Sequence, residues 1–148
     1  MNITRLPIYK NAAEIASKTF TYGDTISFSW LYEQLEIKDL KYGTQEDFKS
    51  LGFELLQKIE SFKNELLTEH LMHLENQKGQ GYLIVHPSEQ ASFAMINLKR
   101  KMGNEMKKCM KILSFVNNKL LNYEDVKRID EERGKIAALK AFSRKTLP

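Results

Sequence analysis

Between two long helical patterns lies a stretch, His73 to Gln90, that reads HLENQKGQGYLIVHPSEQ. Here the hydrophobic period drops from three-and-four to two, and this constrains the fold more than any other feature of the chain. Upstream, Phe48, Leu51, Leu55, Ile59, Phe62 and Leu66 share one face of a helix running to about Leu71. Thr44-Gln45-Glu46-Asp47 has the form of a capping box at its start. Within the stretch, Leu74, and then Leu83 with Val85, are expected to point inward from two strands joined across NQKGQG. A tight turn there needs positive φ at Gly79 or Gly81, which glycine permits at little cost. Pro87 ends the second strand, and Ser88 is placed to cap a new helix.

That helix is the longest feature. Ala91, Met95, Leu98, Met102, Met106, Cys109, Leu113, Val116 and Leu120 form a seam of three- and four-residue steps. At 100° per residue, Arg100, Lys107 and Lys111 fall within about 40° of one another on the opposite face. Gly103 interrupts the helix at about 1 kcal/mol relative to alanine. A last helix carries Val126, Ile129, Ile136 and Leu139. Its natural partner is either the helix before it, as an antiparallel hairpin, or a second subunit. Toward the N-terminus, Asn11 to Lys18 reads as a short helix, Gly23-Asp24 as a turn and Thr25-Ile26 as a brief β step. Ser27 or Ser29 then caps a helix burying Leu31 and Leu35, with Phe20, Tyr22, Phe28 and Trp30 as core aromatics.

At 148 residues without a Pro/Gly/Ser linker, the chain reads as one domain with a sound core: a part over residues 1–87 and a basic helical part over 88–148. The single cysteine, Cys109, excludes an internal disulfide and fits a reducing compartment. MNITRLPIYK has no apolar stretch of signal-peptide length, and no run approaches a membrane span. A soluble, cytoplasmic protein that does not enter a membrane is expected. The net charge of +4 conceals an asymmetry: residues from Asn97 to Pro148 hold 14 Lys and Arg against 6 Asp and Glu, a balance of +8. The remaining 9 basic and 13 acidic residues leave −4 for the rest. Either the C-terminal third faces something anionic, or its charged face is simply solvated.

Catalytic patterns are missing. A dinucleotide loop needs GxGxxG between a strand and a helix, whereas here Ile84 holds the third glycine's place and the glycines precede a strand. No GK[ST] follows them. His70, His73 and His86 could converge if the hairpin closes, but no HExxH or cysteine pair accompanies them. There is no GxSxG, and Asp130, Glu131 and Glu132 among Lys127, Arg128 and Arg133 look like helix-face pairing. The expectation is a non-enzyme with no cofactor and no metal.

The order helix, short strand, helix, helix, hairpin resembles the winged helix-turn-helix. LENQKGQGYLIV, Leu74 through Val85, is similar to the wing of response-regulator DNA-binding domains, where GxGY begins the last strand. TFTYGD with the downstream GQGYLIVHPSEQ resembles small uncharacterised proteins of phages and prophages. The fold class expected is mainly α (α+β), with a winged-helix-like N-terminal part and a long C-terminal helical hairpin. The resemblance implies a small DNA-binding regulatory protein of a phage or mobile element. The helix in the recognition position is acidic, with Glu46, Asp47, Glu54, Glu60, Glu65 and Glu69 against Lys49, Lys58 and Lys63, which disfavours a phosphate array. Duplex contacts are therefore expected from Lys78 in the wing and from Arg100, Lys107, Lys108 and Lys111, with a homodimer formed through the Met95–Leu120 seam. The competing expectation is an interaction protein, such as an inhibitor of a host or defence factor, that sets its basic helix against an acidic host protein.

Overall fold

The change of period at His73 is a β-hairpin. In the computed structural model, which describes residues 5–38 and 42–147, strand β2 (Leu74–Gln77) pairs antiparallel with β3 (Gly81–Ile84). Gly79 and Gly81 both carry positive φ, 78° and 150°. The chain runs α1 (Ile8–Thr19), β1 (Thr25–Ser27), α2 (Phe28–Gln34), α3 (Gln45–His70), β2, β3, α4 (Pro87–Ser114), a 3-10 turn (Asn118–Leu120) and α5 (Tyr123–Thr146). Strand β1 returns to the hairpin and pairs antiparallel with β3, giving the sheet order β1-β3-β2. The protein is mainly helical, with one small antiparallel sheet.

The chain divides into two compact units, Met1–Gln90 and Ala91–Pro148, with the division inside the first turn of α4. The first holds the hydrophobic core. Ala12, Ala13 and Ala16 are buried on one face of α1, and side chains this small let α3 pack closely against it. From α3 come Ile59, Phe62 and Leu66, and from α2 and its end Leu31 and Leu35, all buried. The aromatics near the first turn pack as edges: Phe20 lies 5.1 Å from Trp30 in a T-shaped pair, and Trp30 leans on Phe62 at 6.4 Å. Such pairs contribute about 0.5–1.5 kcal/mol beyond the area they bury.

Local chemistry sets the helix boundaries. Thr44 accepts from the Asp47 backbone N–H while the Asp47 carboxylate accepts from that of Thr44, closing the capping box. These bonds from Thr44 hold the Asp47 carboxyl below its ordinary range. Helix α3 ends at Leu71, which sits in left-handed backbone (φ 58°), and Met72 N–H reaches back to the Leu66 carbonyl at 3.1 Å. Ser27 caps α2 by accepting from Trp30 N–H.

Three expectations are corrected. On the inward face of the hairpin it is Ile84 that pairs with Leu74, while Leu83, paired with Glu75, lies half-buried on the other face. Val85 is buried as expected but follows the strand, its N–H donating to the His73 carbonyl at 2.9 Å. Helix α4 begins at Pro87, whose missing N–H costs nothing in a first turn, and the His86 ring caps it through Nδ1, which accepts from Ser88 N–H at 3.3 Å. Finally, α4 stops at Ser114, so Val116 and Leu120 of the expected seam lie beyond it; Asn117 instead caps the 3-10 turn.

Gly81 carries a constraint that Gly79 does not. A Cβ at Gly81 would overlap the Ile26 carbonyl oxygen and stand 2.9 Å from Ser27 Cα, whereas at Gly79 it would meet open space. Gly81→Ala is expected to lose about 3 kcal/mol through strain plus forced separation of β1 from β3. Gly79→Ala is expected to lose only about 1 kcal/mol, from left-handed backbone alone. Urea unfolding followed by Trp30 fluorescence compares them; equal losses would remove the close approach as the reason for this glycine.

Candidate nucleic-acid interface

In the first unit the candidate contact is Lys78, exposed in the turn between β2 and β3. Gln80 N–H donates to the Gln77 carbonyl at 3.0 Å and closes that turn, so Lys78 is carried on a short, tied loop. The neighbouring polar groups are structural. His73 Nε2 bonds the Glu75 carboxylate at 2.8 Å, and His86 Nδ1 meets Ser88 Oγ at 2.8 Å while its ring packs 6.1 Å from Tyr22. Among the described residues no three His, Cys, Asp or Glu side chains are grouped to hold a metal ion.

The acidic helix α3 is partly self-neutralised. Glu54 pairs with Lys58 at 3.0 Å and Glu60 with Lys63 at 3.2 Å. Lys63 also lies 5.5 Å from the centre of the Tyr82 ring, a cation–π contact. Burial raises the Tyr82 phenol above its ordinary range, helped by the charge of Glu60. The N-terminal half of α3 leaves Phe53 65% and Leu56 63% exposed, so the helix offers apolar surface as well as acid where a recognition helix would offer cations.

In the second unit, Arg100, Lys107 and Lys111 all lie within the uninterrupted α4 and are exposed. At 1.5 Å per residue their stripe is about 16 Å long. Arg100 Nη2 donates to Asn97 Oδ1 at 3.3 Å, which steadies the guanidinium without neutralising it. Lys108 stands apart: it lies about 80° round the helix from Arg100 and pairs with Glu105 at 3.0 Å. Of the four candidate cations on α4, three therefore share one face and the fourth is turned aside. Lys78 belongs to the first unit.

Sequence reasoning missed Arg133. From α5 its Nε and Nη2 both donate to the Leu113 carbonyl, the Nε bond at 3.1 Å, so a fork from one helix closes one orphan C-terminal carbonyl of another. Read by spacing alone, Arg133 belonged to ordinary i,i+4 pairing on its own helix face; the structure gives it an i,i+3 pair with Asp130 at 3.4 Å as well as the fork. The Asn122–Asp125 capping box at the start of α5 was readable as an N-x-x-D pattern ahead of an apolar run. Among the described residues, no helix is long and apolar enough to cross a membrane.

Comparison of the chain with protein-family models, with curated proteins and with solved structures finds no match.

Arg133→Met keeps the length of the side chain and removes the fork. It is expected to cost about 1 kcal/mol, below the roughly 1.5–3 kcal/mol of a charged hydrogen bond because the guanidinium is half-exposed. Amide exchange should quicken in the last turn of α4 while α3 stays protected. Unchanged exchange from Lys111 to Phe115 would show that the fork holds nothing in place.

Proposed function

We propose that the chain is a small DNA-binding regulatory protein, of the kind phages and mobile elements carry, whose first unit is a winged helix and whose second is a basic helical hairpin. The observation that carries this reading is the pairing of β1 with β3. A three-residue strand between the first two helices, pairing with the second strand of the hairpin after the third helix, resembles the wiring of a winged helix-turn-helix. The Arg133 fork, tying α5 to the end of α4, supports the hairpin.

In this reading α3 is not the DNA reader. Its acids and exposed apolar side chains disfavour insertion into a major groove lined by phosphates. Phosphate contact comes instead from Lys78 at the wing tip and from Arg100, Lys107 and Lys111, with Lys108 as a weaker member because Glu105 already pairs with it. A stripe of about 16 Å spans roughly five base-pair steps of duplex axis. Contacts of this type position a protein and confer no sequence preference by themselves. A second reading, an interaction protein acting on an acidic host or defence factor, is favoured by the same apolar exposure on α3.

Duplex titrations across salt concentrations test the proposal. Binding should weaken with a log–log slope of about −0.9 per phosphate contact. Glutamine at Arg100, Lys107 and Lys111 together should flatten that slope by up to about three units, and Lys78→Gln by about one more. Absence of binding at low salt to random-sequence duplex at tens of micromolar would remove the DNA reading and leave the interaction protein.

A further inference from the structure

Unit Ala91–Pro148 contains two long helices, yet among its described residues the only buried one is Ser143. Two long helices that bury no apolar side chain are an incomplete core, because contiguous apolar surface left in water marks an interaction site. The missing volume has a definite place. Between α4 and α5 lies a groove of about 510 Å³, floored by Gly103, Met106 and Met110 of α4 and Ile136 and Ala137 of α5. Gly103 sits in the middle of a 28-residue helix, where it costs about 1 kcal/mol relative to alanine, and no atom stands within 4 Å of where its Cβ would be. No packing need explains this glycine; the room it leaves belongs to the groove.

The charges at the groove have one sign. Its lining includes Lys99, Lys107, Lys140 and Arg144, and no acid. We propose that this groove docks an acidic amphipathic helix of another protein, with apolar anchors at i, i+3/i+4 and i+7 seated on the methionine floor and Glu or Asp against the cationic rim. Helix-in-groove recognition uses this geometry, and methionine suits it because its flexible thioether adapts to the anchors presented. A duplex would meet the cations but gain nothing from an apolar floor. A second copy of this chain would bring the same +8 unit against its like. The site is distinct from the proposed DNA stripe: it faces α5, takes in Lys140 and Arg144, and shares only Lys107 with it.

Fluorescence anisotropy with the full chain and a labelled synthetic peptide tests the site. The peptide, about 16 residues long, carries Leu at i, i+3, i+4 and i+7 and Glu on the flanks; a scrambled peptide of equal charge and a Lys-flanked peptide serve as controls. The amphipathic acidic peptide should bind at least about tenfold more tightly than either control, a difference worth about 1.4 kcal/mol. Gly103→Leu fills the groove while leaving every charge in place, and should abolish binding with helicity preserved. The paired Lys140→Glu and Arg144→Glu exchange should weaken binding at least about tenfold, while Arg100→Gln with Lys111→Gln should leave it unchanged. Equal binding of the scrambled acidic peptide, or retained binding by a folded Gly103→Leu protein, would overturn the proposal. So would sedimentation showing a wild-type dimer that Gly103→Leu dissociates, since the occupant would then be a second copy. Loss of duplex binding with peptide binding intact would remove the DNA reading alone.

Discussion

Strand β3 is the pivot of the first unit. Its four residues, Gly81 to Ile84, bond to β2 on one side and β1 on the other, so one short strand joins the segment before α2 to the segment after α3. The join demands a close approach at Gly81, where the backbone of β1 occupies the space a side chain would take. Further bonds extend it: Ile84 N–H donates to the Asp24 carbonyl at 2.8 Å and Gly23 N–H to the Ile84 carbonyl at 2.8 Å. The packing of Ile26, Leu74 and Ile84 under α1 and α3 rests on this arrangement. Without it the hairpin would be a two-stranded ribbon, marginal in water.

The second unit follows a different physical logic. Its helices are defined locally, by Pro87 and the His86 ring at the start of α4 and by a capping box at the start of α5. Exposed i,i+3 pairs such as Glu105–Lys108 and Glu132–Lys135 line their surfaces. Such pairs contribute only tenths of a kcal/mol each, too little to replace a core. The Arg133 fork ties the helices at one place, and the groove beside Gly103 leaves them short of apolar contact. A unit built this way would gain stability from an occupant of the groove, because binding only the folded state adds to folding free energy.

These two logics bear on function together. The small sheet carries a tied turn, and the acidity of α3 is unlike that of a helix that enters a phosphate-lined groove. The cations gather on α4 and α5: Arg100, Lys107 and Lys111 form the stripe proposed for phosphate contact, and Lys99, Lys107, Lys140 and Arg144 flank an apolar groove. Lys107 stands at the border of the two surfaces. An acidic helix seated in the groove would draw on a charge that a duplex also needs, so the two ligands would compete in part.

The sequence by itself determined the features that depend on near neighbours. Helix period, the Thr44–Asp47 capping box, the glycine-bearing hairpin and the shared face of Arg100, Lys107 and Lys111 are all set by residues within a few positions of one another, and each was legible. The places where reading failed are those where distant segments compete. Whether Leu83 or Ile84 faces inward depends on pairing with β1, 56 residues earlier by the Ile26–Tyr82 register, which strand period alone cannot supply. That β1 reaches β3 at all, that Arg133 turns from Asp130 to the Leu113 carbonyl, and that Gly103 opens onto Ile136 and Ala137 were decided only by the tertiary structure. In each case the partner lies more than one turn of helix or one hairpin away, beyond the range over which sequence spacing specifies geometry.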